Sequence, residues 1–115
     1  MEKDDILDKG GLYTRVIIEI AGSPKEHIEK SMQSLVENIK KKSGLDVKHE
    51  DTAEAEENEK MWTTFTELEI LFKRLDTLLD FIYEFMPASI EVIEPEADFP
   101  SSDGMHPLKI AVVEV

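Results

Sequence analysis

The segment Met61 to Phe72 constrains the fold most, because apolar or threonine side chains fall on every second residue for twelve positions. A period of two is the side-chain repeat of an extended strand. Trp62, Thr64, Thr66, Leu68, Ile70 and Phe72 lie on one side, suited to a core. Met61, Thr63, Phe65, Glu67, Glu69 and Leu71 make the other side mixed. A strand of that length is long, and a bulge near Phe65 is expected. Leu12 to Ile20 repeats the pattern, with Leu12, Thr14, Val16, Ile18 and Ile20 opposite Tyr13, Arg15, Ile17 and Glu19. Two such strands call for a sheet with a covering layer on one face only.

The covering layer is legible between them. Gly22-Ser23-Pro24-Lys25-Glu26 has the form of a helix start, with Ser23 as cap, Pro24 at the first helical position and Glu26 closing a capping box. Ile28, Met32, Leu35, Val36 and Ile39 then recur at spacings of three and four, and Lys40-Lys41-Lys42 suits the negative end of the helix dipole. Gly44 supplies a stop, so the first helix is predicted from Pro24 to about Lys42. A second helix is predicted from Leu75 to Phe85, with Leu75, Leu78, Leu79, Ile82, Phe85 and Met86 in a wide apolar arc and Asp76, Asp80 and Glu84 toward water. Pro87 ends it.

Two further strands complete the set. Leu45, Val47 and His49 alternate with Asp46, Lys48 and Glu50, and Ile90 to Glu94 is a short strand. Residues 51–59 are too acidic to offset the cost of burial and are expected to form a mobile hairpin tip. The element order βαββαβ, with a hairpin between the second and third strands, predicts an α+β, ferredoxin-like sandwich. Its antiparallel sheet would run 4-1-3-2 with both helices on one face. Residues 1–11 are predicted to be a flexible N-terminal arm and 12–94 the ferredoxin-like domain. Residues 95–115 are predicted to form a proline-rich loop followed by a fifth C-terminal strand or arm.

Charge and composition narrow the partners. The 26 acidic residues against 13 basic leave a net charge of −13, which repels phosphate backbones and anionic membranes. Residues 46–60 hold seven acids against two lysines, and residues 91–115 hold six against one. The acidity therefore belongs to one hairpin and the C-terminal segment. The acidic N-terminus has no signal-peptide core and no apolar run spans a bilayer, so a cytoplasmic protein without a membrane partner is expected.

Chemistry-bearing motifs are sparse. There is no cysteine, no Gly-x-Ser-x-Gly elbow and no second histidine four residues after His49. Glu94, Asp98 and His106 form a weak metal-ligand set near the exit of the last predicted domain strand, and with Glu91 they define the alternative reading, a metal-dependent or carboxylate-based enzyme. The favoured expectation is a non-catalytic interaction module with no cofactor. The uncovered sheet face supplies the reason. It is predicted to show Tyr13, Ile17, Phe65, Leu71 and Ile93 among Arg15, Glu19, Glu67, Glu69 and Glu91.

A mixed apolar face of this kind favours self-association. Leu108, Ile110 and Val112 in the C-terminal run would either return in cis or pair with a second copy, giving a homo-oligomer, most simply a dimer. A protein or small-molecule partner fits the same surface. A third reading has the acidic tip, through Glu54, Glu56, Glu57 and Glu59, docking on a basic partner.

At the level of element order, residues 12–94 resemble the small amino-acid-sensing ACT modules, which pair through their sheets. The resemblance implies a ligand-binding turn after the first strand, where only Gly22 stands as counterpart. Aromatic residues on strands 1 and 3 also resemble the stacking positions of RNA-recognition modules. The glycine- and arginine-bearing strand signature of those modules is absent, and the glutamates of the face oppose RNA.

Overall fold

Strand β1 (Leu12–Gly22) and strand β4 (Met61–Phe72) form the spine, paired antiparallel from Leu12↔Phe72 to Gly22↔Trp62 without a break. The computed structural model describes residues 2–95 together with short strand segments at 99–100, 107–108 and 113–114. In chain order the elements are α1 (Lys3–Asp8), β1, α2 (Lys25–Lys40), β2 (Leu45–Thr52), β3 (Glu56–Asn58), β4, α3 (Leu75–Phe85), β5 (Ser89–Glu94), β6 (Phe99–Pro100), β7 (Pro107–Leu108) and β8 (Val113–Glu114). The main sheet follows the path β2-β4-β1-β5-β8, with β3 also paired to β4, while β6 and β7 pair separately.

The observed sheet differs from the expected four-strand order by these additions. β3 arises because pairing along β4 continues past Thr52. The Ala53 amide donates to the Phe65 carbonyl at 2.9 Å, the Thr64 hydroxyl donates to the Ala53 carbonyl at 2.7 Å, and the hydroxyls of Thr52 and Thr66 lie 2.8 Å apart. Pairing then runs to Asn58↔Met61 at the tip, and Ala55 is buried. The acidic composition suggests a bare loop there, but the threonines of β4 supply the side-chain hydrogen bonds that hold the segment. β8 adds to β5 of the same chain through Ser89↔Glu114 and Ile90↔Val113.

β4 itself has no bulge near Phe65; the extra residue there lies on the opposing segment, between Thr52↔Thr66 and Glu56↔Thr63. The β1–β4 register is regular there, and further irregularities fall between Val47 and His49 on β2 and between Tyr13 and Thr14 where β1 meets β5.

One face of the sheet carries the core. Val16, Ile18, Leu68, Ile70, Phe72, Ile90 and Val92 pack with Met32, Val36 and Ile39 of α2 and with Leu78 and Phe81 of α3. Helix α2 begins at Lys25, one residue later than expected. Pro24 stays extended at φ −74°, ψ 174°, and the Ser23 cap bond does not form. Helix α3 keeps its expected bounds and ends with Met86 in the left-handed region at φ 47°. Residues 3–8, within the expected arm, form α1, which lies against β1 and β4.

Candidate interaction surfaces

The face of the sheet away from α2 and α3 is crossed by a polar network. Tyr13 Oη donates to Glu69 Oε1 at 2.5 Å, and the Lys3 ammonium sits 4.8 Å above the Tyr13 ring while pairing with Glu94 Oε2 at 2.5 Å. Arg15 stands between Glu67, 3.2 Å from Nε, and Glu91, 3.6 Å from Nη1. Its Nε is buried without an aligned hydrogen bond, so the Glu67 contact is an ion pair of poor geometry. With both partners substantially exposed, each Arg15 pair is worth at most about 1 kcal/mol.

Burial, and then the hydrogen bond to Glu69, push the Tyr13 hydroxyl up to about 12. A raised value means that the fold favours the protonated phenol. Its contribution is fully present below the ordinary tyrosine value near 10 and is lost as pH rises from there through about 12. Tyr13→Phe is therefore expected to cost about 1 kcal/mol at neutral pH through the lost hydrogen bond. It should also flatten the decline of stability above about pH 10. Urea midpoints at a series of alkaline pH values check this, and parallel curves for the two proteins would refute it.

Among the described residues the expected interface set does not form one exposed apolar patch. Leu71 is wholly buried on the side where α1 lies, Tyr13 is tied into the network, and Ile17 and Ile93 are half-buried. Among the described side chains of the set, Phe65 alone is prominently exposed, at 48%. Leu108 is described only as part of β7, and Ile110 and Val112 lie outside the described residues. Of the metal-ligand set, Glu94 is held by Lys3, Glu91 faces Arg15, and Asp98 and His106 lie outside the described residues. Among the described residues no three histidine or carboxylate side chains are grouped to hold a metal ion.

The larger apolar exposure is on α3. Leu75 is 56% exposed, Leu79 55%, Tyr83 88% and Met86 68%, at positions i, i+4, i+8 and i+11. The same helix buries Leu78 and Phe81 in the core. The apolar residues of α3 thus form one arc wider than the sheet covers, with Phe81 and Leu78 inside and Leu75, Leu79 and Tyr83 left outside. Within the expected wide arc the core lies to one side: Leu75, Leu79 and Met86 are exposed, while Phe81 is central to the core. Aromatic contacts hold the inner face, with Phe81 edge-on to Phe72 at 5.3 Å and beside Phe85 at 5.0 Å.

A shallow cavity of about 310 Å³ opens between the turn after α2 and α3, lined by Lys42, Leu45, Thr77, Phe81 and Glu84. Lys42 bridges its rim, 2.7 Å from Glu84 Oε2 and 5.7 Å from the centre of the Phe85 ring. At the other end of the sheet, Lys25 lies over Trp62 at 5.3 Å and pairs with Glu54 at 3.5 Å. No helix among the described residues is long and apolar enough to cross a membrane.

These elements have a counterpart among known proteins. "Uncharacterized protein MJ0538" of Methanocaldococcus jannaschii is 35% identical over 79 residues, which cover 68% of this chain and 30% of the relative. The match therefore spans about 30% of that relative's length. No solved structure matches. At family level the match extends over residues 13–109, from the start of β1 through α2, β4, α3 and β5. A match over most of the sheet and both long helices shows that the chain belongs to the MJ0538 family.

Proposed function

We propose that this chain is a non-catalytic interaction module that docks a protein partner through the outer face of α3. The observation that carries the reading is the row Leu75, Leu79, Tyr83 and Met86, exposed along a helix that is anchored in the core by Leu78 and Phe81. Large apolar side chains in one contiguous row on a folded surface mark interaction sites, whereas scattered ones do not. The family relative adds support, since it carries the matching 79 residues inside a much longer chain. The ferredoxin-like reading of residues 12–94 is supported by β1 lying between β4 and β5, with β2 outside β4.

Self-association through the sheet face has less behind it than docking on α3. That face is laced with ion pairs, and β8 is placed on β5 of the same chain. Its one favourable feature is the exposure of Phe65 and Met61, both 48%.

Photo-cross-linking tests the reading. A benzophenone side chain placed at position 79 in cells should give discrete protein adducts, and one placed at position 65 should give few. Equal yields from the two positions, or none from position 79, would reject α3 as the docking face. Leu79→Glu, the variant that should abolish docking, is expected to change folding stability by no more than about 0.5 kcal/mol because its site is on the surface. Thermal or urea unfolding checks this.

A further inference from the structure

We infer that the occupant of the α3 face is a basic amphipathic helix of about three turns, and not a second copy of this chain. The inference rests on the docking reading above and adds the chemistry of the partner. From Leu75 to Met86 the row spans roughly 16 Å at the helical rise per residue. Leu75, Leu79 and Tyr83 follow the i+4 spacing that makes a ridge, and such a ridge seats in the groove of another helix.

Charge selects among helices. α3 contains Asp76, Asp80 and Glu84 and no basic residue. By helical angle Asp76 and then Asp80 border the row on one side, with Glu84 further round toward α2, where Lys42 holds it. Asp76 is held by Arg74 from the preceding turn, and Asp80 has no ion-pair partner among the described residues. The row thus has an acidic border over its first turns, with one carboxylate available to an incoming cation.

A second copy fits this border badly. Antiparallel packing of two α3 helices about a two-fold axis would set Asp80 of both copies, unpaired among the described residues, along one seam, beside an Asp76 already held by Arg74 and with no base within either helix. The net charge of −13 opposes the approach as well. A partner with lysine or arginine beside its own apolar ridge replaces that repulsion with attraction. Such complementarity sets specificity and association rate more than bulk affinity.

Two synthetic amphipathic peptides of about sixteen residues test the inference on the full chain. They share the same leucine ridge, and one carries lysines and the other glutamates at the flanking positions. By calorimetry the lysine peptide should bind at least about tenfold tighter at low salt. The gap should narrow near 0.5 M salt, where the Debye length is roughly 4 Å. The double variant Asp76→Lys, Asp80→Lys should reverse the preference, and Leu79→Glu should weaken both peptides while leaving the circular dichroism spectrum unchanged.

Equal binding of both peptides, lost in Leu79→Glu, would overturn the basic partner and leave α3 docking standing. A wild-type dimer in sedimentation that Leu79→Glu dissolves would make a second copy the occupant and overturn the inference. Binding of neither peptide, or binding indifferent to Leu79→Glu, would overturn it too; adducts from position 79 would still show separately whether α3 docks anything.

Discussion

Phe72→Ala is expected to lower the stability of the fold by about 3 to 5 kcal/mol, a large part of the total that a domain of this size has. Phe72 ends β4 with no solvent exposure, pairing with Leu12 of β1 on one side and Leu45 of β2 on the other. Its ring is also the edge-on partner of Phe81, one of the two buried side chains by which α3 grips the core. Truncation opens a cavity where three strands and a helix meet, and the aromatic contacts there hold the helix against relaxing into it. Urea unfolding followed by circular dichroism measures the loss. Phe72→Leu, which keeps most of the volume, should cost less than about 1.5 kcal/mol. An alanine variant within 1 kcal/mol of wild type would mean that the ring is not part of the core.

Gly11→Ala is the second large effect, and it acts through space, not backbone conformation. A Cβ at this position would lie 2.3 Å from Ile6 Cγ2, 2.7 Å from the Ile6 carbonyl oxygen and 2.8 Å from the Phe72 carbonyl oxygen. The isoleucine methyl can rotate away, but the two backbone oxygens cannot yield without moving α1 from β4. The Gly11 amide also donates to Ile6 at 2.8 Å, so the same movement breaks that bond. The variant should lose about 1 to 3 kcal/mol, the range for overpacking. The loss should be local, with faster amide exchange over residues 3–9 and quicker tryptic cleavage at Lys9. A variant with unchanged exchange over α1 would show that the close approach is not maintained. Gly10→Ala is a useful contrast: that residue has φ 94° but open space around it, so only backbone strain should register.

The strands were legible in the sequence because period two states both the conformation and the buried side. The bounds of β4 and the alternation along β1 follow directly from it. α3 was legible in extent but not in orientation. Leu78 and Phe81 have helical spacing, as do Leu75, Leu79, Tyr83 and Met86, so periodicity alone cannot say which series meets the sheet. Two apolar series on one short helix were the available signal, since a helix packed on a sheet buries only one stripe.

Leu71 was assigned to an open face and is instead buried, because a six-residue helix such as α1 has too few turns to declare itself in sequence and forms through tertiary contact. The capping motif at Ser23 contained the right residue types, but the helix starts one residue beyond Pro24, out of reach of the serine. The proposed interface is therefore on α3 and not on the sheet. The sheet residues that alternation exposed are matched in charge by one another, whereas Leu75, Leu79 and Tyr83 of α3 are exposed among the described residues.

The path of the main sheet ends at β2, and this has a bearing on how the protein behaves when concentrated. A terminal strand offers a row of amides and carbonyls that any extended chain can extend by one more strand. Lys48, His49, Glu50 and Asp51 are all exposed along it, so each successive position that a foreign strand would meet is polar, on both sides of the pleat. Adding a strand there would desolvate several charges at once and would face the sequence's own like charges if the newcomer were another copy. The polar edge thus opposes growth of the sheet into fibrils from the β2 margin.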